Sequence, residues 1–297
     1  MKKFLPVDER TDVGPADPLE GTAAHPDSQR PDVAIVVPVN AQADLQVVRP
    51  LLDDVAKYDG PHSIEKILVV NNFPEGQEPP EVEEFRRLGL VVVAIPDVRR
   101  PGEAVGFSAR IPGLRAATAK HAVLFDADCR VPNITALINW YVAQFRRGTS
   151  AAYTRVRHRD FYDHPSVRAA FAIHHTARWV KRNILGIPTT RGSNYAVTCQ
   201  EVIELYEQGL LADEMNVGPT VKRLKGRVAY SSKRDLTVLT SGRMWDQPVW
   251  HRILPHFLYR LRYNLRVLPV RAGVARHTGR ENDPVRVYRN NRPVRKS

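Results

Sequence analysis

Asp126 and Asp128 stand one residue apart, directly after the apolar run Ala122-Val123-Leu124-Phe125. Such a run reads as a buried strand, and acids at its end are costly to bury unless their charge is answered. A divalent cation bridging a diphosphate answers it. Mg²⁺ and Mn²⁺ prefer oxygen ligands, and phosphate oxygens complete their shell beside the carboxylates. Such an ion also neutralises a departing diphosphate. Asp suits helix caps and turns as well, so the pair taken alone leaves a structural role open. Its place after the fourth strand of a series turns the balance toward chemistry.

That series must position the acids. Val33-Ala34-Ile35-Val36-Val37 is continuously apolar and stops at Pro38. Ile67-Leu68-Val69-Val70 runs into Asn71-Asn72, and Leu90-Val91-Val92-Val93-Ala94-Ile95 follows Gly89. Runs without polar alternation suit strands buried on both faces. Helical stretches intervene at residues 45–57, with Pro50 as an irregularity, at 82–88, and after Gly106. Four alternations predict a doubly wound, mostly parallel α/β sheet with flanking helices. Ligands of such sheets bind beyond the carboxyl ends of the strands. Asn40, Asn71, Asn72, Asp97, Asp126 and Asp128 are the polar residues expected there. Further on, the spacing of Ile134, Leu137, Ile138, Tyr141, Val142 and Phe145 predicts an amphipathic helix. Helices over 200–208 and 216–225 are predicted to end at Gly209 and Gly226, and 228–230 adds a strand.

The chain of 297 residues carries a formal charge of +12, and from Arg252 onward twelve Lys or Arg face two acids. A field of that sign favours anionic partners. Two cysteines, Cys129 and Cys199, give neither a disulfide framework nor a four-thiolate metal site. No secretion signal is apparent and no stretch approaches the length of a bilayer span, so a cytoplasmic protein is expected. Residues 1–31, rich in Asp, Pro, Gly and Ser, read as a disordered leader. A catalytic domain is expected over 32–245 and a basic helical extension or lid over 246–297. In the extension, Trp250, Ile253, Leu254, Phe257, Leu258, Leu261 and Leu265 form a stripe among arginines. It suits an anionic membrane surface, the catalytic domain or a second subunit.

Several segments gain meaning from their order. Val33 to Asn40 form an opening strand and turn. Ile67-Leu68-Val69-Val70-Asn71-Asn72 is a second strand. Gly106 and Ala109-Arg110-Ile111-Pro112-Gly113-Leu114-Arg115-Ala116-Ala117 precede Phe125-Asp126-Ala127-Asp128. Then come Gly192-Ser193-Asn194-Tyr195-Ala196, Asp213-Glu214 and Thr240-Ser241-Gly242-Arg243. In this order, over about residues 33–243, they resemble the inverting family-2 glycosyltransferases of the GT-A fold. The sequence departs from that pattern at Asn71-Asn72, where acids are usual, and at Ile111, where Asn is usual.

The resemblance implies a GT-A-like sheet and transfer of a sugar from a nucleoside-diphosphate sugar, UDP-linked first, to an acceptor hydroxyl with inversion. It implies that Pro38 and Asn40 shape the nucleoside pocket and that Asn72 contacts the base, since an amide both donates and accepts. Arg110 would face the pyrophosphate or the nucleoside. Asp126 would lie near ribose and metal, and Asp128 would ligate Mg²⁺ or Mn²⁺ directly. Asp213 or Glu214 would be the general base, with family position favouring Asp213; acids there also complement a helix dipole. His174, His175 and Trp179 lie toward the acceptor side, where sugar contact and helix packing are both open. His251 and His256 offer a further ligand of the kind some retaining enzymes use, so the stereochemical outcome stays open. The acceptor is a small molecule, a saccharide or a lipid-linked group. A nucleotidyltransferase is the rival enzyme, but the turn Pro38-Val39-Asn40-Ala41-Gln42 lacks the glycines of a phosphate loop. Nucleic acid is not an expected partner, because zinc-finger spacings and aromatic RNA-binding strands are missing.

Overall fold

The computed structural model describes residues 30–97, 105–160, 165–211 and 213–241. Almost all of the expected leader, the whole C-terminal extension and the histidines at 251 and 256 lie outside the described residues, as does Gly242-Arg243.

The chain opens with β1 (Val33–Asn40), followed by α1 (Arg49–Ala56), β2 (Ile64–Asn71), α2 (Pro80–Arg87), β3 (Val91–Ile95), the short α3 (Val105–Ser108), α4 (Arg110–Ala116) and β4 (His121–Leu124). Then come α5 (Ile134–Arg146), β5 (Thr149–Thr154), β6 (Val156–His158), α6 (Pro165–Asn183), β7 (Tyr195–Thr198), α7 (Cys199–Glu207), α8 (Glu214–Leu224), β8 (Arg227–Ser231) and β9 (Val238–Thr240). Among the described residues, seven strands form one sheet in the order β3-β2-β1-β4-β7-β5-β8, and β6 pairs with β9 separately. Within the large sheet β7 runs antiparallel to both neighbours; the remaining pairs are parallel.

The period of two along β1 sorts its residues into two cores. Val33, Ile35, Val37 and Val39 pack with Leu51 and Val55 of α1 and with Leu137, Ile138 and Tyr141 of α5. Ala34 and Val36 pack with Ile111 and Leu114 of α4 and Val202 and Leu205 of α7. Both faces are therefore covered by helices. No described helix is long and apolar enough to cross a membrane.

Two expectations change. The first strand does not stop at Pro38 but runs on to Asn40. Proline lacks the N–H that a central strand needs, yet β4 last pairs with β1 at Val36, whose carbonyl accepts from Phe125 N. Residues two apart point the same way, so Pro38 directs its missing donor to a side where β4 has already ended. The helix expected over 45–57 begins only at Arg49, with Pro50 in its first turn, where a missing N–H is harmless. The middle of the chain holds β5, β6, α6 and β7, which periodicity did not predict.

Gly113 sets the distance between α4 and the sheet. A Cβ there would lie 2.5 Å from Val36 Cγ1 and 2.8 Å from Val69 Cγ2, and β-branched side chains have little freedom to turn away. Helix propensity alone favours alanine over glycine by about 1 kcal/mol. Overpacking costs about 1–3 kcal/mol and should win here. Gly113→Ala is therefore expected to lower the urea midpoint; an unchanged or raised midpoint would show that α4 is not held this closely.

Candidate active site

Arg110 opens α4, and its side chain is fully buried. Its Nη2 meets Asp126 Oδ1 at 2.5 Å and the carbonyl of Gly192 at 2.8 Å. Its Nη1 meets Glu214 Oε1 at 2.7 Å and the carbonyl of Gly106 at 2.6 Å. A guanidinium has five donors; only Nε lacks an acceptor. The ring of Tyr195 lies 5.9 Å from the guanidinium carbon. Arg110 thus gathers α3, the turn after β4, the turn before β7 and the start of α8. At two of these contacts a glycine leaves room for the clamp. A Cβ at Gly192 would come within 3.0 Å of Asp126 Oδ1, and one at Gly106 within 3.0 Å of Glu214 Oε1.

The turn after β4 is fixed from several sides. Ser193 Oγ donates to Asp126 Oδ2 (3.0 Å), and Thr240 Oγ1 donates to Asp128 Oδ1 (3.1 Å). Arg130 pairs with the buried Asp54, which also accepts from Val131 N. Burial raises the Asp54 pKa, but these hydrogen bonds outweigh it and leave the carboxyl below its ordinary range.

The two acids at the start of α8 take different orientations. Asp213 is buried and caps α8, accepting from Asn216 N at 2.8 Å. Glu214 turns inward to Arg110. Burial lifts the Glu214 pKa above 4.5; Arg110 opposes the rise, and Asp213 and Asp126 add to it.

Asn40 ends β1 and Asn72 follows the neighbouring β2 at the same sheet edge. Asn72 Nδ2 donates to Asn40 Oδ1 at 3.0 Å. Asn72 has a left-handed backbone, φ 66°, which Asn tolerates better than most residues. Its Oδ1 is buried and has no partner. Asn71 is structural, donating to the carbonyls of Val39 and Val69. Pro38 lies two residues before Asn40 in β1.

The structure thus brings Arg110, Asp126 and Glu214 into direct contact and pairs Asn40 with Asn72. Asp128 is tied to β9 instead. Sequence reasoning gave no individual role to Gly106, Gly192, Ser193 or Thr240, although all four lay in segments singled out for their order. Among the described residues, no three His, Cys, Asp or Glu side chains are grouped to share a metal ion. Both Asp126 oxygens have protein partners. Asp128 and the half-exposed Asp126 are the acids that would hold a divalent ion here, and Mg²⁺ or Mn²⁺ would draw its other oxygens from phosphates and water.

Removing one member of a buried ion pair costs about 3–5 kcal/mol. Asp126 keeps 38% of its side chain exposed, which places Arg110→Met near the lower end. Loss of about 3 kcal/mol is expected in urea unfolding, partly recovered when Glu214→Gln is added. An unaffected midpoint would deny the clamp. Glu214 also gives a pH signature. An acid with a raised folded pKa favours folding below its unfolded value, and that contribution is lost as pH rises through the folded value. The stability of Glu214→Gln relative to the parent should therefore improve as pH climbs from 4.5; a constant difference would contradict the burial.

No family model and no curated protein matches the sequence. Solved structures do. The mannosyltransferase PcManGT from Pyrobaculum calidifontis, solved with GDP-Man and Mn²⁺, superposes with a TM-score of 0.54 at 18% identity, over 83% of this chain and 65% of that one. The chain thus spans just under two thirds of that protein. Glucosyl-3-phosphoglycerate synthase from Mycobacterium tuberculosis, solved with Mn²⁺, UDP and phosphoglyceric acid, gives 0.48 at 17% identity, over 82% of this chain and 79% of that one. Residues 1–349 of S. aureus TarS give 0.49 at 15% identity, over 80% and 64%. The strand order and the first of these likenesses agree on a GT-A-like, doubly wound fold for this chain.

Proposed function

We propose that the chain is a glycosyltransferase that moves a sugar from a nucleoside-diphosphate sugar to an acceptor hydroxyl. The observation that carries the reading is the convergence of Asp126 and Glu214 on Arg110, at the sheet edge that also holds Asn40, Asn72 and Asp128. A GT-A-like fold offers that edge to a nucleotide-sugar.

The roles follow from the contacts. Asn72 presents an unpartnered acceptor, and Asn40 fixes its amide. A base N–H would satisfy it; uracil N3–H and guanine N1–H both can, so uridine and guanosine donors are tested first. Asp128 would hold Mg²⁺ or Mn²⁺ together with the donor's diphosphate, and that ion would offset charge on the leaving group. Asp126, clamped by Arg110 and Ser193, orients toward the donor sugar or ribose. Glu214 is the base we favour over Asp213, because Asp213 is engaged as a helix cap. Its raised pKa brings it nearer the operating pH, which suits proton transfer. The acceptor oxygen bonds to the anomeric carbon as the carbon–oxygen bond to the diphosphate breaks. The electron pair leaves with the nucleoside diphosphate, the hydroxyl proton passes to Glu214, and in-line geometry inverts the anomeric centre.

Thermal shift with UDP or GDP and Mg²⁺ or Mn²⁺ tests donor binding. Ligand at about 100 times Kd adds about 2.7 kcal/mol, or roughly 5–10 °C for a domain of this size. Asp128→Asn should abolish the metal-dependent part of that shift. Glu214→Gln should keep it while lowering kcat about 10²–10⁴-fold. Turnover close to the parent's in both variants, or indifference to every nucleoside diphosphate, would remove the proposal.

A further inference from the structure

A cavity of about 410 Å³ opens between α6, β5 and the edge strand β8, and the segment over residues 189–194. Four arginines line it: Arg155, Arg178, Arg182 and Arg191. None of its described lining residues is Asp or Glu. All four arginines are partly buried, so they are not a solvated helix face. Several are held in place. Arg182 stacks on Tyr230 at 3.8 Å from the ring centroid, and its Nε is buried without a partner. Arg178 donates to the carbonyl of Thr189, and Arg191 Nη2 lies 3.0 Å from His174 Nε2. His175 Nε2 is also buried without a partner. Burial first, then Arg191 and Arg178, lowers the His175 pKa to about 4. The imidazole is therefore neutral, and the charged side chains among the described lining residues are all cationic, a setting that favours an anion.

The cavity is joined to the acidic cluster by its own wall. Within residues 189–194, Thr190 Oγ1 donates to the Glu214 carbonyl, Gly192 accepts from Arg110, and Ser193 donates to Asp126. Asn194, next in line, faces the cavity. Along the sheet, Asn40 ends β1 and Asn72 follows β2, the clamp sits by β4 and β7, and the arginines lie beside β5 and β8. The anion held here is thus on the far side of the reacting groups from the nucleoside.

We propose that this cavity binds a phosphomonoester carried by a small acceptor, and so places the acceptor's hydroxyl near Glu214. The assignment to an acceptor rests on the transferase reading; the anion site itself does not. Its test uses the full-length chain with inorganic phosphate as probe, titrated calorimetrically at constant ionic strength. Saturable binding is expected, and Arg155→Gln and Arg182→Gln should each weaken it about tenfold, the usual effect of losing one charged hydrogen bond. Phosphate should still bind when Mg²⁺ and saturating nucleoside diphosphate are present. Arg182→Lys, which keeps the charge, should recover part of the affinity and guards against a variant that fails to fold. Absence of saturable binding, indifference to both glutamine variants, or competition with nucleoside diphosphate would overturn the site. Tighter binding of glycerate than of phosphate would overturn the phosphomonoester class in favour of a carboxylate. Intact phosphate binding with no nucleoside-diphosphate binding would sink the transferase reading and leave the anion site standing.

Discussion

A buried guanidinium must be neutralised where it lies, and much of this structure can be read as the means of doing so for Arg110. Its desolvation is met by two carboxylates and two backbone carbonyls. Remove Arg110 and two carboxylates lose the cation they share, a penalty of several kcal/mol. The exposed pair Arg49–Glu84 has equally short contacts, 2.7 Å, but sits at 36% and 47% exposure, where solvent screens most of the attraction. Geometry is similar in the two pairs; burial decides which one the fold depends on. The clamp also links levels. Gly113 lets α4 lie close on β1 and β2, which carries Arg110 to the correct depth, and Gly106 and Gly192 let the acids and carbonyls close around it.

The parallel half of the sheet was legible because its strands are buried on both faces and written in Val, Ile and Leu. The positions of Asp126 and Asp128 after β4 could be read for the same reason. The antiparallel half was not. β5 reads Thr-Ser-Ala-Ala-Tyr-Thr, fully buried, yet its small and hydroxylated residues give no apolar run. β7 is four residues long and draws its stability from two antiparallel neighbours, which only the tertiary fold supplies. Pro38 misled because its penalty depends on where β4 ends, not on β1 itself. Arg110 was singled out to face the pyrophosphate or the nucleoside, with no protein partner assigned to it. Three of its partners lie 16, 82 and 104 residues away, and no local pattern encodes such distances. For the acidic pair, spacing could not choose between a cap and an inward-facing side chain; φ and ψ at Asp213 and the reach of Glu214 do.

The sheet also separates charge along its width. Asp126 and Glu214 meet on Arg110 near β4 and α8, with Asp128 and Asp213 one or two residues away in the same turns, while four arginines gather beside β5 and β8. The segment over 189–194 lies between the two regions and touches both. Its residues bond to Glu214, Arg110 and Asp126 on one side and line the cavity on the other. A displacement of this turn would disturb both regions together, so their spacing is set by one short piece of backbone.

Charge counting then explains why an arginine, rather than a lysine, suits position 110. Glu214 and Asp126 approach from different directions, and each Nη also serves a carbonyl. Four acceptors in a fixed fork match a planar guanidinium; an ammonium has three donors and no fork. With one positive charge set against four formal carboxylates, the cluster stays negative. Under the proposed function, a nucleoside diphosphate would bring more negative charge to the same edge. It would bind only with added cationic charge. Among the described residues, arginines gather at the other side of the sheet. Under the same proposal, a metal ion held beside Asp128 would bring part of that charge with the donor.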